Sequence, residues 1–137
     1  MGKAKKACAS AHCGKDWAGD LATFALIWGF PTAMLLGALL LGPMLRAAVW
    51  AVMLTWMGGA CIVNARRCGR THCYYTGPFF LFMAVLVLAH ASNVAPLGSH
   101  GWTIIALTTL SGTGIIWWAS ERLLGTFGGA LLIASAD

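Results

Sequence analysis

The sequence predicts an all-α membrane protein, a bundle of four transmembrane helices with both termini in the cytoplasm. Three observations predict it. Hydrophobic residues make up 59% of the chain and charged residues only 9%, whereas a soluble domain carries about 25% charged residues to build a wet surface. The charges are bunched into short flanks, which leaves apolar runs long enough for the roughly 20 residues a membrane helix needs. Lys and Arg also fall almost entirely on one side of the crossings those runs imply. No polar stretch is long enough to fold apart, so residues 1–137 read as one transmembrane domain.

Residues 1–20 form a polar N-terminal flank with Lys3, Lys5, Lys6 and Lys15, then Asp16 and Asp20. Asp20 suits the N-cap of the helix that follows. The first span covers about 21–42; it is too long for the h-region of a cleaved signal peptide and lacks a small-x-small site after it, so it reads as a retained helix. Pro31 inside it removes a backbone hydrogen bond and predicts a kink. Gly42-Pro43 marks a turn, and Arg46 follows. The second span, 47–65, carries Gly58, Gly59 and Ala60, small residues suited to close helix packing. The polar link Asn64 to Pro78 comes next, with Pro78 expected in the first turn of a new helix. The third span is placed at 79–95. A break rich in Asn, Pro, Gly and Ser separates it from the fourth span at 102–120. Thr103, Thr108, Thr109, Ser111 and Thr113 are expected to bond back to their own helix. Trp102, Trp117 and Trp118 suit membrane–water interfaces. Residues 121–137 are too short for a fifth crossing and read as a C-terminal interfacial tail.

Orientation follows from charge. Of the nine Lys and Arg residues, only Arg46 lies on the far side of this topology, so both termini and the central link are expected in the cytoplasm and the protein in the inner (cytoplasmic) membrane. The net charge of +5 is accounted for by these flanks, which fix topology and meet anionic headgroups, with no nucleic-acid partner implied. Arg66, Arg67 and Arg70 are the candidate membrane-surface residues. They would also favour thiolate on neighbouring cysteines.

The same topology gathers the metal-binding residue types on one side. Cys8, His12, Cys13, Cys61, Cys68, His72 and Cys73 are the candidate metal ligands. Thiolate and imidazole suit zinc, copper(I) and other soft ions. The clusters Cys8 to Cys13 and Cys68 to Cys73 share one spacing, each with His immediately before the second Cys. The C-x4-C spacing is less diagnostic than the C-x2-C pair of structural zinc, and the repetition strengthens it. If the link stays helical, Cys68 and His72 share a face; if Gly69 makes a turn, Cys68 and Cys73 come together. Cys61 also fits the plain role of a small apolar residue within a helix. His90, near the outer end of the third span, is expected to reach Ser92, Asn93 or water; an ionisable residue within a span is also a candidate functional group. His100 reads as a loop residue.

The run Asn64 to Pro78, with Phe79-Phe80-Leu81 after it, resembles a motif of a family of small, poorly characterised prokaryotic four-helix membrane proteins, which implies the fold and little about function. A looser resemblance is to the small mercury-uptake membrane proteins, which have three or four spans and cysteine pairs. Those proteins carry a vicinal cysteine pair in the first span, and here that span has none.

The expected function is a heavy-metal (Hg, Cu or Zn) transporter or carrier, in which Cys8, His12 and Cys13 exchange a soft metal ion with Cys61, Cys68, His72 and Cys73. A path through four helices is narrow, so a homo-oligomer or larger membrane complex is the expected partner besides the lipid bilayer. The alternative is a non-catalytic accessory subunit whose Cys/His cluster is structural. A third reading is a thiol redox membrane protein using a reversible Cys68–Cys73 disulfide. No acid/base pair, nucleophile triad, phosphate loop or haem-attachment motif is present, so the chain is not expected to be an enzyme.

Overall fold

The computed structural model describes residues 17 and 20–125, and for Cys68 the backbone alone. Among the described residues there are four helices, α1 (Leu21–Leu40), α2 (Pro43–Cys68), α3 (Thr71–Ala91) and α4 (Gly101–Leu124). All four are long and apolar enough to cross a membrane. No strand occurs among the described residues.

Each boundary has a local cause. Asp20 caps α1 by accepting from the Thr23 amide at 3.2 Å and from the Thr23 hydroxyl. The disturbance expected at Pro31 takes the form of a π-helical turn over Ala25–Gly29, where the Phe30 amide reaches back to the Ala25 carbonyl. That wider turn accommodates a proline ring which would otherwise meet the carbonyl four residues earlier. The chain leaves α1 through a 3-10 turn, Ala38–Leu40. Arg46, in α2, then donates from Nη2 to the carbonyls of Leu39 and Leu41, each at 2.9 Å. One guanidinium thus satisfies carbonyls left without partners at the end of the preceding helix. Gly69 ends α2 in the left-handed conformation (φ 63°), with its amide on the Ala65 carbonyl at 2.8 Å; lacking a Cβ, glycine enters that conformation without a steric penalty.

The link between α2 and α3 differs from the expectation. It consists of Gly69 and Arg70 alone, and α3 starts at Thr71 and ends at Ala91 instead of covering 79–95. Pro78 lies inside α3 and does not start it. Thr71 to Thr76 look like a polar link by composition, yet they remain helical, and the Thr76 hydroxyl donates to the His72 carbonyl within the same helix. The residue before a proline normally resists helical geometry because its Cβ meets the ring; Gly77 has no Cβ, so the helix runs through. At the other boundaries, α1 stops at Leu40 within the expected 21–42, α2 extends the expected 47–65 at both ends, and α4 runs past 120 through Glu121 and Arg122 to Leu124. Residues 126–137 of the expected tail lie outside the described residues.

Consecutive helices pack in order, and α2 with α3 form the most extensive pair. Their shared seam holds Leu54, Met57, Phe80, Met83 and Val87, joined by Ile105 from α4. Trp50 ties α2 to α1 by donating its indole N–H to the Leu35 carbonyl at 3.1 Å. The backbones of α2 and α3 approach closely at two glycines. A Cβ added to Gly77 would stand 2.7 Å from Ile62 Cγ1 and 3.3 Å from the Gly58 carbonyl, and one on Gly58 would stand 3.0 Å from the Gly77 carbonyl. Small residues at such crossings let helix backbones approach closely in lipid, where no hydrophobic drive separates helix from tail. Gly59 faces open space, with nothing within 4 Å of an added Cβ.

Gly77→Ala is therefore expected to destabilise the bundle by about 1–3 kcal/mol through overpacking. Gly59→Ala should be neutral or stabilising by up to ~1 kcal/mol, because alanine replaces glycine in an open helical position. Thermal unfolding of both variants in detergent micelles checks the contrast; an equal effect at the two sites would contradict the crossing.

Candidate functional site

The glycine crossing sets the register of the site. Cys61 lies three residues past Gly58 on α2, and Cys73 lies four residues before Gly77 on α3. At 1.5 Å per residue these steps are about 4.5 and 6 Å. The helices run antiparallel, so both steps lead toward the same end of the bundle, and spacings of three and four keep each cysteine on its glycine's face. The two thiols come within hydrogen-bonding reach of each other. Both are free thiols, Cys61 2% and Cys73 0% exposed.

Polar groups surround this pair. Asn64, fully buried, directs its Nδ2 to Cys73 Sγ at 3.8 Å, and its Oδ1 accepts from the Trp17 amide at 3.5 Å. The side chains of Trp28 and Thr76 reach Cys61. An indole nitrogen can only donate, so Trp28 presents an N–H to the sulfur. On the other side of Cys73, His72 touches the Cys73 thiol and meets Glu121 Oε1 through Nδ1 at 2.9 Å. The His72 ring also packs on Trp117, with centroids 5.4 Å apart. Glu121 sits near the C-terminus of α4, where the helix dipole disfavours an acid. His72 supplies the partner that offsets this position. Cys61, Cys73, His72 and Glu121 thus form a continuous line of contacts from the bundle interior outward. It ends at an open groove of about 560 Å³ lined by Gly114, Trp117, Trp118, Glu121 and Arg122.

Of the seven candidate metal ligands, Cys61 and Cys73 meet and His72 borders Cys73. The turn at Gly69 puts Cys68 on α2 and His72 on α3, so these two do not share one helix face. The side chain of Cys68, and all of Cys8, His12 and Cys13, lie outside the described residues. Among the described residues, no group of three or more His, Cys, Asp or Glu side chains is arranged to hold one ion. Arg66 and Arg67 lie in the last turn of α2 and Arg70 at the start of α3. The Arg67 guanidinium covers the Trp17 ring at 4.9 Å.

The remaining candidates serve packing. Thr109, Ser111 and Thr113 donate to carbonyls four residues back, as expected. His90 Nδ1 accepts from the Leu97 amide at 3.2 Å, so its partner is the backbone of the α3–α4 loop and not Ser92 or Asn93. Its ring meets the edge of Trp102, whose face lies under the Arg46 guanidinium at 5.2 Å. This cluster closes the opposite end of the bundle. Four residues of the site were not singled out from the sequence, Trp28, Asn64, Thr76 and Glu121. Two of these signals are legible in retrospect, since Asn64 is a strong polar group one turn from Cys61, and Glu121 is the one acid between Asp20 and Asp137.

Compared with protein-family models, curated proteins and solved structures, the chain has no significant match in any of the three. The reading of the site rests on its own residues.

Burial predicts reactivity. In a variant with Cys8, Cys13 and Cys68 changed to serine, a bulky maleimide should label neither remaining thiol in mild detergent and both after denaturation in SDS. Fast labelling of the folded protein would contradict the seam between α2 and α3.

Proposed function

We propose that this chain is a small multi-pass protein of the inner membrane that binds a soft metal ion at its cytoplasmic face, as a transporter or carrier. The observation that carries the reading is the meeting of two buried free thiols, Cys61 and Cys73, on facing helices. Sulfur donors held in a dry seam favour soft ions over hard ones. The arginines near this end, Arg66, Arg67 and Arg70, orient it toward the cytoplasm by the distribution of positive charge. Cys8, His12 and Cys13 would pass the ion to the membrane-embedded pair, and Cys68 and His72 lie next along that route. The groove beside Glu121 provides access from outside the bundle. Translocation through so few helices calls for a homo-oligomer or a larger membrane complex.

One observation favours a second reading. Two thiols in contact are also the starting point of a disulfide, and the line Glu121–His72–Cys73 resembles an oriented base beside a nucleophilic thiol. A thiol redox protein would cycle Cys61–Cys73, across the helices, instead of Cys68–Cys73. The accessory-subunit reading would leave the thiols as packing or structural ligands and predicts co-purification with a larger partner.

Elemental analysis of the purified protein, loaded with zinc, copper or mercury ions in the presence of a phosphine reductant, separates these readings. The soft-metal reading predicts about one tightly held ion per chain, lost from a Cys68→Ser, Cys73→Ser double variant. Absence of metal from the parent after loading with every ion sinks it. An intrachain disulfide that forms in the metal-free protein once the phosphine is replaced by a mild two-electron oxidant, and that returns to two thiols when the phosphine is restored, would establish the redox reading instead.

A further inference from the structure

We propose that the ion-binding unit is the Cys61–Cys73 dithiol alone, a two-coordinate site that takes Cu(I), Ag(I) or Hg(II) and rejects Zn(II). This inference rests on the soft-metal reading and names its substrate class.

The seam presents two sulfurs to each other from α2 and α3. Successive helical residues project about 100° apart, so His72 and Cys73 cannot face the same neighbour. Cys73 faces α2, while His72 faces α4, where its Nδ1 is held by Glu121 at 2.9 Å and its ring lies on Trp117. The imidazole touches the Cys73 thiol, yet among the described residues Cys61, Cys73 and His72 are not arranged to hold one ion together. The remaining polar neighbours are the Asn64 amide nitrogen at 3.8 Å from Cys73, and the Trp28 indole nitrogen and Thr76 hydroxyl beside Cys61, the hydroxyl being a hard neutral oxygen that soft ions disfavour. Neither nitrogen has a lone pair to offer a metal. The site supplies two thiolates and hydrogen bonds to them.

Zinc(II) in a closed protein site takes four donors in a tetrahedron. The closed-shell ions Cu(I), Ag(I) and Hg(II) are softer and are satisfied by two thiolates in a linear arrangement, so the same pair discriminates by coordination number as well as by softness. Binding breaks two S–H bonds and forms two sulfur–metal bonds. Two protons leave per ion, and no oxidation state changes. With Hg(II) the product is neutral and suits burial without further help. With Cu(I) or Ag(I) it carries one negative charge, which the Asn64 and Trp28 donors are placed to accept.

The test uses the full-length protein in detergent, kept reduced with a phosphine and loaded separately with Cu(I) supplied as its acetonitrile complex and with Zn(II). X-ray absorption on the unmodified protein should give two sulfur neighbours around copper and no imidazole nitrogen, with zinc removed by dialysis. Cys61→Ser and Cys73→Ser should each weaken Cu(I) binding by more than the roughly 10–100-fold that changes to supporting residues cause. A Cys8→Ser, Cys13→Ser, Cys68→Ser triple variant should retain it. A three- or four-donor sphere containing imidazole overturns this proposal and leaves the soft-metal reading standing. So does Cu(I) binding that survives Cys61→Ser but is lost on Cys68→Ser. Failure of the unmodified protein to retain any of Cu(I), Ag(I), Hg(II) or Zn(II), each loaded separately in the same way, overturns both. The absorption spectrum is read on the native sequence, so a serine variant that fails to fold does not leave the question open.

Discussion

The close approach of α2 and α3 at Gly58 and Gly77 is the constraint on which the rest of the structure depends. Helices in a bilayer gain little from hiding apolar surface from one another, since lipid tails are as apolar as leucine. What holds them is dispersion at short range and the satisfaction of polar groups. Two glycines opposite each other bring the backbones close enough for Leu54, Met57, Phe80, Met83 and Val87 to interlock on one side of the crossing. On the other side, the same crossing carries Cys61 and Cys73 into contact and encloses Asn64. Core and candidate site are two ends of one seam.

The polar groups are divided between the ends of the bundle according to what they do. At one end Arg46, Trp50, Trp102 and His90 tie helix ends and loop together through hydrogen bonds to backbone carbonyls and an amide and through ring contacts. Every member has a partner in the fold, and the result is a structural closure. At the other end, two thiols have chiefly each other and hydrogen-bond donors as neighbours. A cysteine packed as a small apolar residue is ordinary in a helix. A facing pair with a buried asparagine beside it offers donor chemistry that packing alone does not require. The His72–Glu121 pair links this interior to the outer groove and braces α3 against α4.

Much of the fold was legible because lipid imposes a simple rule. Long uncharged runs bounded by charge must be helices, since unsatisfied backbone groups are not tolerated in hydrocarbon. Asp20, Pro43 and Gly42 marked ends where the helices do begin or stop. The link between the second and third helices was misread because Thr71, His72, Tyr74, Tyr75 and Thr76 have the polarity of a loop, and because Gly77-Pro78 has the composition of a turn. In three dimensions Gly77 is a packing residue and Pro78 is tolerated after it. That error hid the pairing of Cys73 with Cys61, since it assigned Cys73 to a loop when it belongs to a helix face four residues from the crossing. Glu121 escaped notice for a related reason, because its partner His72 is far away in sequence and only helix packing joins them.

The central claim is that α2 and α3 bring Cys61 and Cys73 together in the native protein. It is tested most directly by oxidative cross-linking in membranes before solubilisation, in a chain whose other cysteines are serine. Tryptic cleavage at Arg66, Arg67 or Arg70 separates the two residues, so joined peptides report the bond. The account predicts an intrachain Cys61–Cys73 product formed readily in the membrane. Separate peptides, or a product linking two chains only, would contradict the seam and with it the site built upon it.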